Sequence, residues 1–222
     1  PAMSSSAPLL TLPPPLQSGD RVSLVAASSA LQGEEALARL AAGSAVLESW
    51  GLELTPGGQA ERAWGSLAGR DRERAADLEG AARSGASLLA CLRGGWGSAR
   101  LLETPLPLPP RWLLGFSDVT SLLFDRVVQG CGGGIHGPLL STLAAEPEWS
   151  RERLRALLFG EAVPPLQGEP WRDGCAAGPL LVANLTVATH LLGTRHLPDL
   201  DGAILILEDV GEAPYQIGRA HV

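Results

Sequence analysis

The chain has 222 residues, 45% hydrophobic and 18% charged, a globular composition long enough for one large or two modest domains. Its formal net charge of −7 argues against nucleic acid as a partner, because phosphate binding needs a basic face. No apolar run approaches the ~20 residues that span a bilayer, which argues against a membrane protein.

Residues 1–17 are rich in serine and proline, without the basic start and apolar core of a signal peptide, and read as a flexible leader. Gly19-Asp20 then leads into Arg21–Ala26, a predicted first strand followed by the small residues Ala27-Ser28-Ser29-Ala30. Acids open the segment Glu34 to Trp50, as a helix prefers. Leu37, Leu40, Ala41 and Leu47 are expected on its buried face, with Trp50 at the edge. Gly51 to Leu54 predicts a short strand ended by Pro56-Gly57-Gly58. Arg70 to Arg83 reads as a solvent-facing helix with Ala75, Leu78 and Ala82 as its apolar positions. Ser87 to Leu92 predicts a buried strand that runs into Arg93-Gly94-Gly95-Trp96-Gly97-Ser98, with a short helix beginning near Ala99. Strands alternating with helices predict a parallel sheet covered on both faces, with ligands beyond the carboxyl ends of its strands.

The most informative stretch is Trp112 to Leu123. Trp112-Leu113-Leu114 reads as a short buried strand, and Gly115 ends it. Val119, Leu122, Leu123 and Val127 then fall at helical spacing. Ser117 therefore sits where a strand turns sharply into a helix, a geometry that presents a hydroxyl beside free N–H groups. Helix capping by Ser117 or Asp118 accounts for the same residues without chemistry.

Next comes the glycine run Gly132-Gly133-Gly134, ahead of Ile135-His136-Gly137-Pro138. It lacks the strand–loop–helix spacing of a dinucleotide site. His136, set among glycines near a sheet, reads either as a structural histidine or as a site residue. Residues 146–175 hold a charged helix, Ser150 to Phe159, and then prolines and glycines of linker texture. A second unit follows, with strand Gly178 to Leu185, helix Thr186 to Leu192, and the apolar strand Ala203 to Leu207 ending at Glu208-Asp209. Carboxylates at a strand end are usually solvated, so these two admit that reading too.

All 17 basic residues are arginine, which rules out Schiff-base chemistry, a phosphate-loop lysine and a Ser–Lys dyad. Cys91, Cys131 and Cys175 are three and widely spaced, which fits a reducing compartment without a disulfide framework. No Cys-x-x-Cys or His-Glu-x-x-His spacing supports a zinc site, so no metal and no cofactor is expected. Asn184-Leu185-Thr186 matches a glycosylation acceptor but follows no secretion signal. An α/β-hydrolase esterase fits poorly, because Gly115-Phe116-Ser117-Asp118-Val119 lacks the second glycine of Gly-x-Ser-x-Gly.

Taken in order, the motifs are Gly19-Asp20-x-Val22, Arg93-Gly94-Gly95-Trp96-Gly97, Gly115-Phe116-Ser117-Asp118 and His136-Gly137-Pro138. Asn184-Leu185, Leu192-Gly193-Thr194 with Pro198-Asp199, and Leu207-Glu208-Asp209-Val210-Gly211-Glu212 with Pro214-Tyr215 complete the set. From about residue 19 to Ile217 this pattern resembles the LD-carboxypeptidase family of serine peptidases, typified by muramoyl-tetrapeptide carboxypeptidase. The resemblance implies an α/β fold in two domains. A flavodoxin- or Rossmann-like parallel-sheet domain (18–145) carries the nucleophile, and a smaller β-rich α/β domain (176–222), incomplete here, carries its partners. It implies Ser117 as nucleophile and Glu208 as the carboxylate that orients the catalytic histidine. The oxyanion hole would use N–H groups of Asp118 and of Gly94-Gly95. Arg93, Trp96 and His136 are weaker candidates for substrate binding. Position 96 is more usually tyrosine, so Trp96 alters the expected pocket.

The implied reaction is hydrolysis of the amide to a terminal D-alanine in murein tetrapeptides, during cell-wall recycling in the cytoplasm, with a homodimer as the expected assembly. Two alternatives stay open: a peptidase of the microcin C immunity branch, and a non-catalytic ligand-binding α/β domain. In the family the catalytic histidine lies well beyond the Leu-Glu-Asp segment, and the sequence given has no counterpart to it. The polypeptide as written is therefore expected to be inactive, with 218–222 read as an artefact tail. His221 is not offered as the base, and His190 and His196 are expected to be structural or surface residues.

Overall fold

A computed structural model describes residues 10–55, 59–104, 109–211 and 213. Five strands form a parallel sheet: β1 (Arg21–Val25), β2 (Glu53–Thr55), β3 (Leu88–Cys91), β4 (Trp112–Gly115) and β5 (Gly134–His136). Their order is β2-β1-β3-β4-β5, which is the flavodoxin-like arrangement. In that order the chain changes direction across the sheet between β1 and β3, and the strand ends there open a crevice.

The strands are apolar on both faces because helices cover both. Leu88 and Ala90 point into one core with Val22, Leu114 and Ile135. Leu89 and Cys91 point into the other with Val25 and Leu113. The first core is closed by α1 (Glu34–Ser49), α4 (Leu140–Leu143) and α5 (Glu148–Leu158). The second is closed by α2 (Asp71–Arg83) and α3 (Thr120–Val128). Burial of these side chains, at about 25 cal/mol per Å² of apolar surface, is the main term holding the sheet.

Two sequence expectations need correction here. In α1 the buried positions are Ala36, Leu40, Gly43 and Leu47, and Ala41 is exposed. A side chain at residue 43 would collide with the Leu140 carbonyl, so α1 turns its glycine, not Ala41, towards α4. In α2, which reads as solvent-facing, Arg74 is fully buried beside Leu78, Ala81 and Ala82. Its guanidinium donates to the carbonyls of Ala27 and Gly97 and pairs with Asp71. An arginine four residues before Leu78 lies on the apolar stripe, and that placement was the available signal.

The run Gly132-Gly133-Gly134 enters β5 and forms no phosphate loop. The 146–175 stretch contains α5 and then an exposed segment without regular structure. Beyond it, β6 (Leu180–Asn184), α6 (Leu185–Leu191) and β7 (Ile204–Glu208) form a second, two-stranded parallel sheet with its helix. Leu181, Ala183, Ala188 and Leu191 pack into the core shared with α3. The backbone N–H of Asn184 also donates to the buried Thr120 hydroxyl at 3.0 Å. The second unit is thus docked on the helix that follows Ser117. Pro56-Gly57-Gly58 and Pro214-Tyr215 lie outside the described residues, as does His221. Among the described residues no helix is long and apolar enough to cross a membrane.

Candidate active site

β4 ends at Gly115, and residues 117–119 make a 3₁₀ turn that leads into α3. Ser117 holds φ at 62°, the only left-handed backbone among the described non-glycine residues. A non-glycine residue there costs roughly 1–2 kcal/mol, strain that is typical of a functional position. The turn is fixed from below. A side chain at residue 115 would lie 2.9 Å from a Val119 methyl and 3.1 Å from Cys91 Cβ, so only glycine fits. The strained turn leaves Ser117 half-buried, and no described residue hydrogen-bonds its hydroxyl.

Asp118 is not a solvent-facing cap. It is buried, its carboxylate accepts the Ser98 N–H at 2.8 Å, and its carbonyl accepts the Ser98 hydroxyl. These contacts tie the 93–98 loop to the serine turn. As a result Gly94 packs directly on Ser117, and a methyl at residue 94 would sit 3.1 Å from Ser117 Cβ and 3.3 Å from its hydroxyl oxygen. Ser29, after β1, holds the other side of the loop by accepting the Trp96 N–H at 3.1 Å. Gly94 thus lies directly against the Ser117 side chain, and with no side chain of its own it leaves that side of the hydroxyl open.

The second unit supplies acids. Register pairs Asn184 with Glu208 at the ends of β6 and β7, as it pairs Gly115 with His136 at the ends of β4 and β5. Those ends meet. His136 Nε2 lies 3.3 Å from Glu208 Oε1, while Phe116 packs edge-on against the imidazole. The contact is close but not aligned as a hydrogen bond, and neither imidazole nitrogen has another partner among the described residues. Burial drives His136 down to about 4, so the ring is neutral near pH 7. Burial raises Glu208, with the neighbouring charge of Asp209 acting in the same direction. Asp209 behaves oppositely. Burial would raise it, but hydrogen bonds from Thr186, Val210 and Asn184 outweigh that and hold it below the usual range. The two carboxylates expected from the sequence are therefore unlike: one is engaged by a helix start, the other faces the histidine.

Between the units lies a cleft of about 340 Å³, lined among others by Gly95, Trp96, Arg100, Ser117, Asn184 and Asp209. Trp96 is exposed at its wall, and the Arg100 guanidinium lies 5.7 Å from its ring centroid. Arg93 donates to the Ala30 carbonyl at 2.9 Å and stands beside the cleft residue Gly95, 3.7 Å from where a side chain there would begin, without itself lining the cleft. His190 is an exposed cleft residue, and His196 pairs with Asp125 of α3 at 2.6 Å. Cys91 is no rival nucleophile, because burial pushes its thiol up to about 12. Among the described residues no three His, Cys, Asp or Glu side chains are grouped to hold a metal ion.

A model of the LD-carboxypeptidase N-terminal domain matches residues 22–137, and one of the C-terminal domain matches 177–221. The chain belongs to the LD-carboxypeptidase family. By family it is a serine-type carboxypeptidase. A putative carboxypeptidase of Synechocystis sp. is 44% identical over 98% of this chain and 72% of its own length. The murein tetrapeptide carboxypeptidase of Pseudomonas aeruginosa is 34% identical over 90% of this chain and 69% of its own. Among solved structures, the muramoyltetrapeptide carboxypeptidase of Oxalobacter formigenes superposes with TM-score 0.71 at 23% identity, covering 90% of this chain and 69% of that one. The microcin C7 self immunity protein in its wild-type apo state gives TM-score 0.77 at 20% identity, covering 94% and 74%. At such identities these two structures share the fold with the LD-carboxypeptidase chain described here.

Proposed function

We propose that this LD-carboxypeptidase releases a terminal D-alanine from murein tetrapeptides, with Ser117 as nucleophile. The observation that carries the reading is the strained Ser117 turn packed against Gly94 at the mouth of the sheet. The 34% identity to a murein tetrapeptide carboxypeptidase supports the substrate.

In this mechanism the Ser117 oxygen attacks the carbonyl carbon of the scissile amide as the histidine base that the family carries beyond the Leu-Glu-Asp segment (not His136), oriented by Glu208, takes the hydroxyl proton. The negative charge that gathers on the carbonyl oxygen is met by N–H groups of Asp118 and of Gly94-Gly95, each worth ~3 kcal/mol of barrier. The C–N bond then breaks, and D-alanine leaves with the proton the histidine carried. Water hydrolyses the resulting ester by the same route and restores the Ser117 hydroxyl. Glu208 must stay ionised for this, and its raised pKa makes activity fall as the carboxyl protonates below neutral pH.

The proposal takes 18–145 and 176–222 as the two working units joined by 146–175. A cytoplasmic setting belongs to it, supported by three free cysteines and by the absence of a membrane-spanning helix among the described residues. A homodimer belongs to it as well, and light scattering on the purified protein tests that point.

The deciding experiment incubates full-length protein with murein tetrapeptide and measures free D-alanine. Ser117→Ala is expected to lower release by ~10⁴-fold. Undiminished release from that variant would remove Ser117 from the mechanism.

A further inference from the structure

A carboxypeptidase acts only at a chain end, so its cleft must sense a free carboxylate. The charged side chains lining this cleft are few. Asp118 is turned inward to Ser98, and Asp209 is engaged by Thr186. Arg100 is the arginine among the lining residues.

Its surroundings fix it in place. Nε and Nη2 both donate to the Asp71 carboxylate, while Nη1 has no partner among the described residues. The guanidinium carbon lies over the ring of Trp96, itself a cleft residue. Asp71 does not cancel the charge, because it is shared with Arg74. Two guanidinium groups share that one carboxylate, and Glu103 is the other acid whose charge acts on Arg100. Arg74 is fully buried, with Nη1 on the Ala27 and Gly97 carbonyls and Nη2 on Asp71, so of the two guanidinium groups only Arg100 is presented to the cleft. A cation held by a salt link, with a donor left free, is preorganised for a carboxylate.

We propose that Arg100, held by Asp71 and Trp96, binds the terminal carboxylate of the peptide substrate and makes the cleft selective for free chain ends. The assignment rests on the carboxypeptidase reading above. It gives Arg100 a specificity role, with the chemistry left to Ser117.

The test compares two tetrapeptides in the full-length protein, one ending in a free carboxylate and one in a carboxamide. The unsubstituted protein is expected to favour the acid. Arg100→Gln is expected to lower kcat/KM on the acid by roughly 30-fold, chiefly through KM, and to leave the carboxamide within about threefold. The preference for the free end then largely disappears. A merely structural arginine would lower both substrates together, and that result, like a preference left intact, overturns the assignment. If Arg100→Gln does not fold, Arg100→Lys keeps the charge but loses the fork. It must then show a weakened preference, and an unchanged one also overturns the assignment. Ser117→Ala separates the two claims: undiminished turnover there defeats the Ser117 peptidase reading, whereas a selectivity unmoved by Arg100 defeats only this one.

Discussion

His136 and Glu208 come from strands of different sheets and meet at 3.3 Å, at the carboxyl ends of β5 and β7. Nothing else among the described residues partners either imidazole nitrogen, so the histidine is held neutral and buried against the carboxylate. This has a consequence for stability. The folded pKa, about 4, lies below the unfolded value of about 6.5, so the unfolded chain binds more protons between those limits. Stability from the neutral imidazole is complete above pH 6.5 and is lost as pH falls towards 4. Glu208 acts in the opposite sense, because its raised pKa means that its burial cost is relieved as it protonates. Lowering the pH from 7 to 5 should remove about 2 kcal/mol through His136, and His136→Asn should flatten that slope. Urea melts at both pH values measure it, and equal slopes in the two proteins would contradict the neutral imidazole.

Ser117 keeps a left-handed backbone at a cost that chemistry alone justifies. Ser117→Gly should therefore raise stability by about 1 kcal/mol while abolishing turnover. Ser117→Ala, which keeps the strain, should abolish turnover with no such gain. Thermal melts of the two variants side by side give the comparison.

Gly94 tests the loop side of the site. Alanine there would push a methyl to 3.1 Å from Ser117 Cβ. Displacing the nucleophile by a few tenths of an ångström should cost ~100-fold in kcat, with stability changed by less than about 1 kcal/mol. Unaltered kcat would mean that the loop yields and does not set the position of the serine.

Thr120 tests the joint between the units. Thr120→Val keeps the shape but strips the acceptor from the buried Asn184 N–H, which should cost about 1–3 kcal/mol. Hydrogen exchange should show the Asn184 amide losing protection well before the β3 amides do. Equal protection in variant and parent would show that apolar contacts alone dock β6 on α3.

Much of this was legible in the chain. Alternating apolar runs gave β1, β3 and β4 nearly residue by residue, because a strand covered on both faces must be continuously apolar. Gly115-Phe116-Ser117 marked the strand–helix junction, because only glycine tolerates a helix packed that close behind it. Arg74 escaped, since its charge outweighs its position on the apolar stripe in any reading by composition. Arg93, a substrate-binding candidate from sequence, sends its guanidinium to the Ala30 carbonyl, and the arginine that lines the cleft, Arg100, carried no motif to mark it.

Which residues are apolar, which turns need glycine and which serine ends a strand can all be read along the chain, because they follow from local sterics and from burial of the nearest side chains. The tertiary structure alone decided that Glu208 faces His136, that Asn184 rests on Thr120, and that Arg74 and Arg100 share Asp71. Each of these pairs joins segments whose spacing along the chain carries no periodic signal. They meet only because packing the second unit and the crossover helices against one sheet leaves them a single place to stand.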